Sequence, residues 1–157
     1  MLMTIQKEVK TMSGKQADMM AILKLYELRR DETMRRARAW YFTEFSPESA
    51  ADIVKLFVSG ESESAYYRMV VTYRDMAASF VNNGALDEKL FIDSGSELVF
   101  VYAKIEPFLA EIRQAFNEPE YLIQLEQVVK KYSNLEDKLS SRRRLFAYWK
   151  RDEVATT

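Results

Sequence analysis

Tyr66, Met69, Val70, Tyr73, Met76, Ala77 and Phe80 recur every three or four residues, while Arg68, Thr72, Asp75 and Ser79 occupy the opposite positions. This spacing draws one apolar stripe along a helix and does not suit a strand, whose side chains alternate faces every second residue. The same period runs through most of the chain. Only four glycines and three prolines interrupt 157 residues, with neither an alternating strand pattern nor an internal repeat. The expected fold is an all-α, single-domain helical bundle of about six helices, two of them long. With 48% hydrophobic residues the chain can fill a core.

The first long helix is expected over residues 17–45. Its stripe is Met19, Ile22, Leu23, Tyr26, Met34, Ala37, Trp40 and Tyr41, and Asp31–Arg35 and Glu32–Arg36 stand one turn apart. Ser46 can cap the next helix, with Pro47 in its first turn, and Gly60 ends it. The helix through Tyr66 and Phe80 starts near Ser62 or Ser64 and reaches Asn82.

The stretch SFVNNGALDEKLF then reads as a joint. Asn83 closes one helix, Gly84 takes the left-handed conformation beyond it, and Asp87 caps the next. Leu86 and Phe91 staple that cap. Apolar phase continues from Leu90 to Phe116 through Pro107, so a long helix kinked near Pro107 is expected, with two helices joined near Glu106 as the alternative. Asn117 with Glu120, and Ser133 with Glu136, have capping-box spacing for two further helices. Residues 1–16 are expected to be a flexible segment, 17–150 one helical domain and 151–157 a frayed tail.

Chemistry is bounded by two absences: the sequence has no cysteine and no histidine. Disulfides, thiolate nucleophiles, Ser-His-Asp hydrolysis and histidine metal ligation are therefore excluded within the chain. A formal net charge of -1 provides no global field toward nucleic acid or membrane. Lys7, Glu8 and Lys10 break up the opening apolar residues, so no signal peptide is read there, and no run is long enough to span a membrane. A cytoplasmic setting is expected.

Several clusters could still carry function. Near the C-terminus, Arg142, Arg143 and Arg144 interleave with Phe146 and Trp149, a candidate interaction surface that could also touch nucleic acid or an anionic membrane. Arg29, Arg30, Arg35, Arg36 and Arg38 could hold an anion, although Asp31 and Glu32 among them favour a solvated, ion-paired face. Asp93 and Glu97 have the spacing of one helical turn, too few ligands for a hard metal by themselves. Glu106 and Glu111 flank Pro107. Tyr66, Tyr67, Tyr73 and Tyr102 could line a pocket, but read more simply as core-edge residues with hydroxyls in water.

From about Trp40 onward, the order NNGALDEKLF, VFVYAKIEPFLAEIR, NEPEYLIQLEQVV resembles the bacterial domain of unknown function 4760 family over about half of the chain. The positions carrying the resemblance are Gly84, Leu86, Asp87, Leu90, Phe91, Tyr102, Pro107, Pro119 and Tyr121. Val101-Tyr102 stands where a tyrosine-tryptophan type pair is expected. The resemblance implies an all-α fold, offers no established activity and transfers no catalytic residue.

The function expected is that of a non-enzymatic helical protein acting through protein contacts, with itself as a homodimer or with another protein. One alternative is a small-molecule-binding or catalytic bundle with a pocket lined by carboxylates and tyrosines. The other is a nucleic-acid or membrane-surface adaptor using the basic C-terminal helix. No catalytic residue, metal site or cofactor is assigned.

Overall fold

In the computed structural model, residues 2–150 are described, with side chains from residue 14 onward; the tail 151–157 lies outside them. The chain begins with α1 (Leu2–Leu28), which starts well before the position near Ala17 that the apolar stripe suggested. It does not continue to residue 45. Arg29 and Arg30 form a turn, and Asp31 caps α2 (Glu32–Thr43) by accepting hydrogen bonds from the Thr33 and Met34 N–H groups at 3.1 and 3.2 Å. Asp31 is thus a cap, and only Glu32 and Arg36 form the helical ion pair.

α3 (Ala50–Val58) is capped by Ser49, not by Ser46 with Pro47 as first predicted. The reason is Asp52. It lies three residues after Ser49 and completes a reciprocal box, the Ser49 N–H reaching Asp52 at 3.2 Å and the Asp52 N–H reaching Ser49 at 3.1 Å. α4 (Ser62–Asn82) is the central helix, packed between α2 and α8. It ends as the sequence suggests: Gly84 has φ 75°, the Ala85 N–H reaches back to the Phe80 carbonyl at 2.8 Å, and the Gly84 N–H to Val81 at 3.0 Å. Asp87 then caps α5 (Glu88–Ser94) through the Leu90 N–H at 2.9 Å, with Leu86 and Phe91 buried on either side.

The long helix expected from Leu90 to Phe116 is interrupted at Gly95, and its remainder tightens to a 3₁₀ turn at Pro107. α5 stops at Ser94, and α6 (Glu97–Ile105), a 3₁₀ turn (Glu106–Phe108) and α7 (Leu109–Phe116) follow. The apolar phase is unbroken because all these pieces face one core, but Gly95 takes an extended conformation and ends the first helix. Pro107 lies in the 3₁₀ turn, nearer the alternative of two helices meeting at Glu106. Proline cannot donate to the carbonyl four residues earlier. That carbonyl, Ala103, accepts instead from Arg143 Nε at 3.2 Å.

Two further caps differ from the sequence reading. Asn117 takes the left-handed conformation that ends α7, and α8 (Ile123–Val129) begins only after Leu122, also left-handed. α9 (Leu135–Trp149) is preceded by left-handed Asn134, and Ser133 instead accepts from Lys138 Nζ at its carbonyl. α9 lies across α6 and α2, while α3 covers α4 and α7. The result is an all-α bundle with more and shorter helices than the six or so expected, and no strand among the described residues. Tyr41, Ile53, Tyr67, Ile105, Ile112, Leu125 and Leu139 are fully buried at its centre.

Candidate functional site

Charged side chains converge at the junction of α5 and α6. Glu97, in the first turn of α6, accepts from Arg38 Nε at 2.9 Å and Nη2 at 2.6 Å, and from Arg29 Nη1 at 2.7 Å. Arg74 of α4 sits 2.8 Å from the other side of the carboxylate. The contact is an ion pair, and the buried Arg74 Nε has no hydrogen-bond partner among the described residues. Burial pushes the Glu97 carboxyl up, but the Arg38 hydrogen bonds and the Arg74 charge overcome it and hold the pKa at about 2. A cavity of about 20 Å³ beside Tyr26, Tyr73 and Arg74 has room for one water.

This cluster revises the reading of the arginine-rich segment. Arg29 and Arg38 turn inward to Glu97, while Arg30, Arg35 and Arg36 are exposed. Asp93 and Glu97 are not one turn apart on a single helix, since Gly95 separates them, and Asp93 pairs with Lys89 instead. Glu97 is fully occupied by arginine. Among the described residues, no group of three or more possible metal ligands is assembled.

Tyr67, Tyr73 and Tyr102 are hydrogen-bonded inward, correcting for them the expectation of hydroxyls in water. Tyr67 and Tyr121 share a hydrogen bond of 2.9 Å, Tyr73 donates to the Leu25 carbonyl, and Tyr102 donates to Glu126 at 3.3 Å. Glu126 also pairs with Arg113, whose Nε donates to the Tyr121 carbonyl at 2.9 Å. Burial raises the Tyr121 hydroxyl to about 12. The bonds among Tyr67, Tyr121, Arg113, Glu126 and Tyr102 tie α4, α6, α7 and α8 into one network. Tyr66 sits at the rim against Trp40. Asn82, which the α4 turn does not need, donates to the Gln124 side chain at 2.8 Å.

On α9, Arg142 lies over the Phe100 ring at 5.0 Å, and Arg143 binds Ala103 and, at 2.7 Å, Glu106. Phe146 packs on Phe42 and Phe100, and Trp149 stacks beside Phe100 with 41% of its surface exposed. Arg144 is exposed and Glu111 is exposed. Of the candidate interaction residues, Arg142, Arg143 and Phe146 therefore face the bundle.

Sequence reasoning missed Lys104. It is buried, and its Nζ donates to the Tyr41 carbonyl at 2.6 Å and to that of Phe45, at the end of α2, 4.4 Å from the Phe146 ring centre. A cation there meets the negative end of a helix dipole and open carbonyls. Burial, and then the charge of Lys150, lower its pKa to about 8. A lysine inside the apolar run VFVYAKI was the available signal. An open cleft of about 330 Å³ adjoins it, lined in part by Pro47, Phe108 and Arg143.

α1 presents a different surface. Asp18 accepts from the Asp87 N–H at 3.0 Å, Tyr26 donates to the Ser94 carbonyl at 2.7 Å, and Ile22 is buried. Beside that docked face, Met19, Met20 and Leu23 are 47%, 60% and 53% exposed. A groove of about 500 Å³ between α1 and α5 continues this apolar edge through Met19 and Leu90.

Residues 16–132 match the sequence profile described as Domain of unknown function (DUF4760). The chain belongs to the DUF4760 family. The matched span covers the Glu97 cluster, the tyrosine network and the second half of α1. It extends further toward the N-terminus than the region whose motifs carried the resemblance, and it ends before α9. No curated protein and no solved structure matches this DUF4760 chain. No helix among the described residues is long and apolar enough to cross a membrane.

Proposed function

We propose that this DUF4760 protein works through protein contacts and not through catalysis. The observation that carries this reading is the exposed apolar edge of α1, where Met19, Met20 and Leu23 stand together beside a docked face. Scattered exposed apolar residues are ordinary, but a contiguous edge on one helix is the surface expected of a docking element. The polar clusters inside the bundle support the same view. The Glu97 carboxylate is saturated by arginine, and the tyrosine hydroxyls at Tyr67, Tyr73 and Tyr102 donate or accept within the fold. A cytoplasmic setting suits a chain without cysteine.

The basic C-terminal helix offers less to nucleic acid or membrane, because Arg142 and Arg143 are engaged with Phe100, Ala103 and Glu106. A photo-crosslinking amino acid at Met20 tests the reading in the native cell. An adduct protein, identified and purified, is expected to bind the wild-type chain and to lose binding to the Met19→Lys, Leu23→Lys variant. Absence of any adduct, or unchanged binding by that variant, overturns it.

A further inference from the structure

With the helix known to begin at Leu2, the exposed edge of α1 becomes part of a longer pattern. Leu2, Ile5, Val9, Met12, Gln16, Met19, Leu23 and Tyr26 follow one another at alternating spacings of three and four. That is a heptad seam, with Leu2, Val9, Gln16 and Leu23 at a and Ile5, Met12, Met19 and Tyr26 at d. Every seam position is apolar or aromatic except Gln16. A helix of 27 residues is about 40 Å long, enough for nearly four heptads.

Apart from Tyr26, the bundle does not use this seam as its docking face. The other residues of α1 that seat it on the body are Asp18, Ile22 and Leu25, which are c and g positions of the same register, and Arg29 adds a contact from the turn just beyond the helix. Met19 and Leu23 stay about half exposed. Tyr26 marks the border, since its hydroxyl is anchored to Ser94 while 37% of the residue is exposed.

We infer that α1 pairs with α1 of a second copy of this chain as a parallel, in-register two-stranded coiled coil along the Leu2–Tyr26 seam. The proposal rests on the protein-contact reading and names its partner. A strict 3,4 repeat is complementary to another helix bearing the same repeat, and the chain itself supplies one. Gln16 fixes the orientation. At an a position it faces its own copy in a parallel pair, where two amides can hydrogen-bond across the seam; in an antiparallel pair it faces an apolar d residue and is left unpaired. Each body is docked on the g side of its own helix, and two-fold symmetry places the two g sides on opposite flanks of the pair.

The test uses the full chain, in which an introduced cysteine is unique because the sequence has none. Sedimentation is expected to find a dimer that Leu23→Lys weakens about a hundredfold or more. Leu28→Lys, at an equally exposed apolar f position, is expected to leave the dimer unchanged. Under mild oxidation Leu23→Cys forms a disulfide-linked dimer, and Leu28→Cys does not. Wild-type protein that is monomeric at millimolar concentration overturns the proposal, as does a dimer indifferent to Leu23→Lys. So does cross-linking equal at the two cysteines. If the wild-type chain is monomeric yet the Met20 probe yields a purified partner of different sequence, the self-pairing falls and the protein-contact reading stands. If both experiments are silent, both fall.

Discussion

Arg38 grips Glu97 with two parallel hydrogen bonds, 2.9 Å from Nε and 2.6 Å from Nη2, joining α2 to α6 where 59 residues of chain separate them. Arg29 and Arg74 close on the same carboxylate. Removing that one acid leaves several half-buried guanidinium groups without their common anion. Glu97→Gln is expected to cost about 3–5 kcal/mol of folding stability, measured by denaturant unfolding at neutral pH.

The same pair sets an acid limb. The Glu97 pKa is lowered from 4.5 to about 2, so its stabilisation is fully present above about 4.5 and is lost as pH falls toward 2. At full strength this contribution is about 3 kcal/mol. The stability difference between wild type and Glu97→Gln should narrow through that window. A difference that stays constant from pH 5 to pH 2 would be the contrary result.

Lys104 predicts a basic limb of opposite origin. Its folded pKa is lowered from 10.5 to about 8, so between those values the unfolded chain holds a proton that the folded chain has released. Stability attributable to Lys104 therefore rises with pH from about 8 to 10.5, by up to about 3 kcal/mol. Unfolding of wild type and Lys104→Met in parallel isolates this from tyrosine titration. Wild type should gain on the variant across the window.

Gly95 is tied to Tyr26 by space rather than by backbone angle. A Cβ at Gly95 would lie 2.6 Å from the Tyr26 hydroxyl, which is held on the Ser94 carbonyl. Gly95→Ala should displace that hydroxyl and cost about 1 kcal/mol, the worth of the hydrogen bond. In a Tyr26→Phe background the hydroxyl is gone, and the same substitution should be nearly neutral. Additive costs in the double-mutant cycle would exclude this coupling.

Arg143 replaces the N–H that Pro107 lacks. Its Nε fills the Ala103 carbonyl, a group in a residue only 1% exposed. Arg143→Ala should destabilise by about 1–2 kcal/mol. The cost should shrink when Pro107→Ala restores a local donor. A thermal-denaturation cycle over the four proteins measures this, and an undiminished cost would show that Arg143 acts through Glu106 alone.

Much of the fold was legible because some segments carry their own punctuation. The stripe from Tyr66 to Phe80, the left-handed Gly84 and the Asp87 cap are local instructions, and the chain follows them. The break after Leu28 was hidden because arginine, aspartate and glutamate sit well in a helix and the apolar phase runs on. The Asp31 cap starts the new helix, and Arg29 in the turn is held by Glu97, 68 residues further on. Asn117 misled for a related reason: asparagine serves equally as a helix cap and as a left-handed residue, and here it is left-handed.

The buried polar clusters were largely invisible for want of local cues. The arginines of α2 and of the turn before it read as a solvated face because acids stand beside them in sequence, yet Arg29 and Arg38 choose a distant one. Tyr67 gives no sign of Tyr121. Lys104 was the exception, a charge in an apolar run that required a buried partner. The a and d spacing of α1 lay in plain view, but became meaningful only once Leu2 and Tyr26 were known to share one helix.

The seam between α5 and α6 is held by two visitors: Tyr26 binds the Ser94 carbonyl from 68 residues upstream, and Tyr132 binds the Gly95 carbonyl from 37 residues downstream. A ribosome releasing the chain in order must deliver Tyr132 before this joint can lock. Until then the Gly95 joint has one of its two clasps at most. Assembly of the bundle is therefore completed at its middle, and a nascent chain stalled before Tyr132 should leave that joint open to proteolysis.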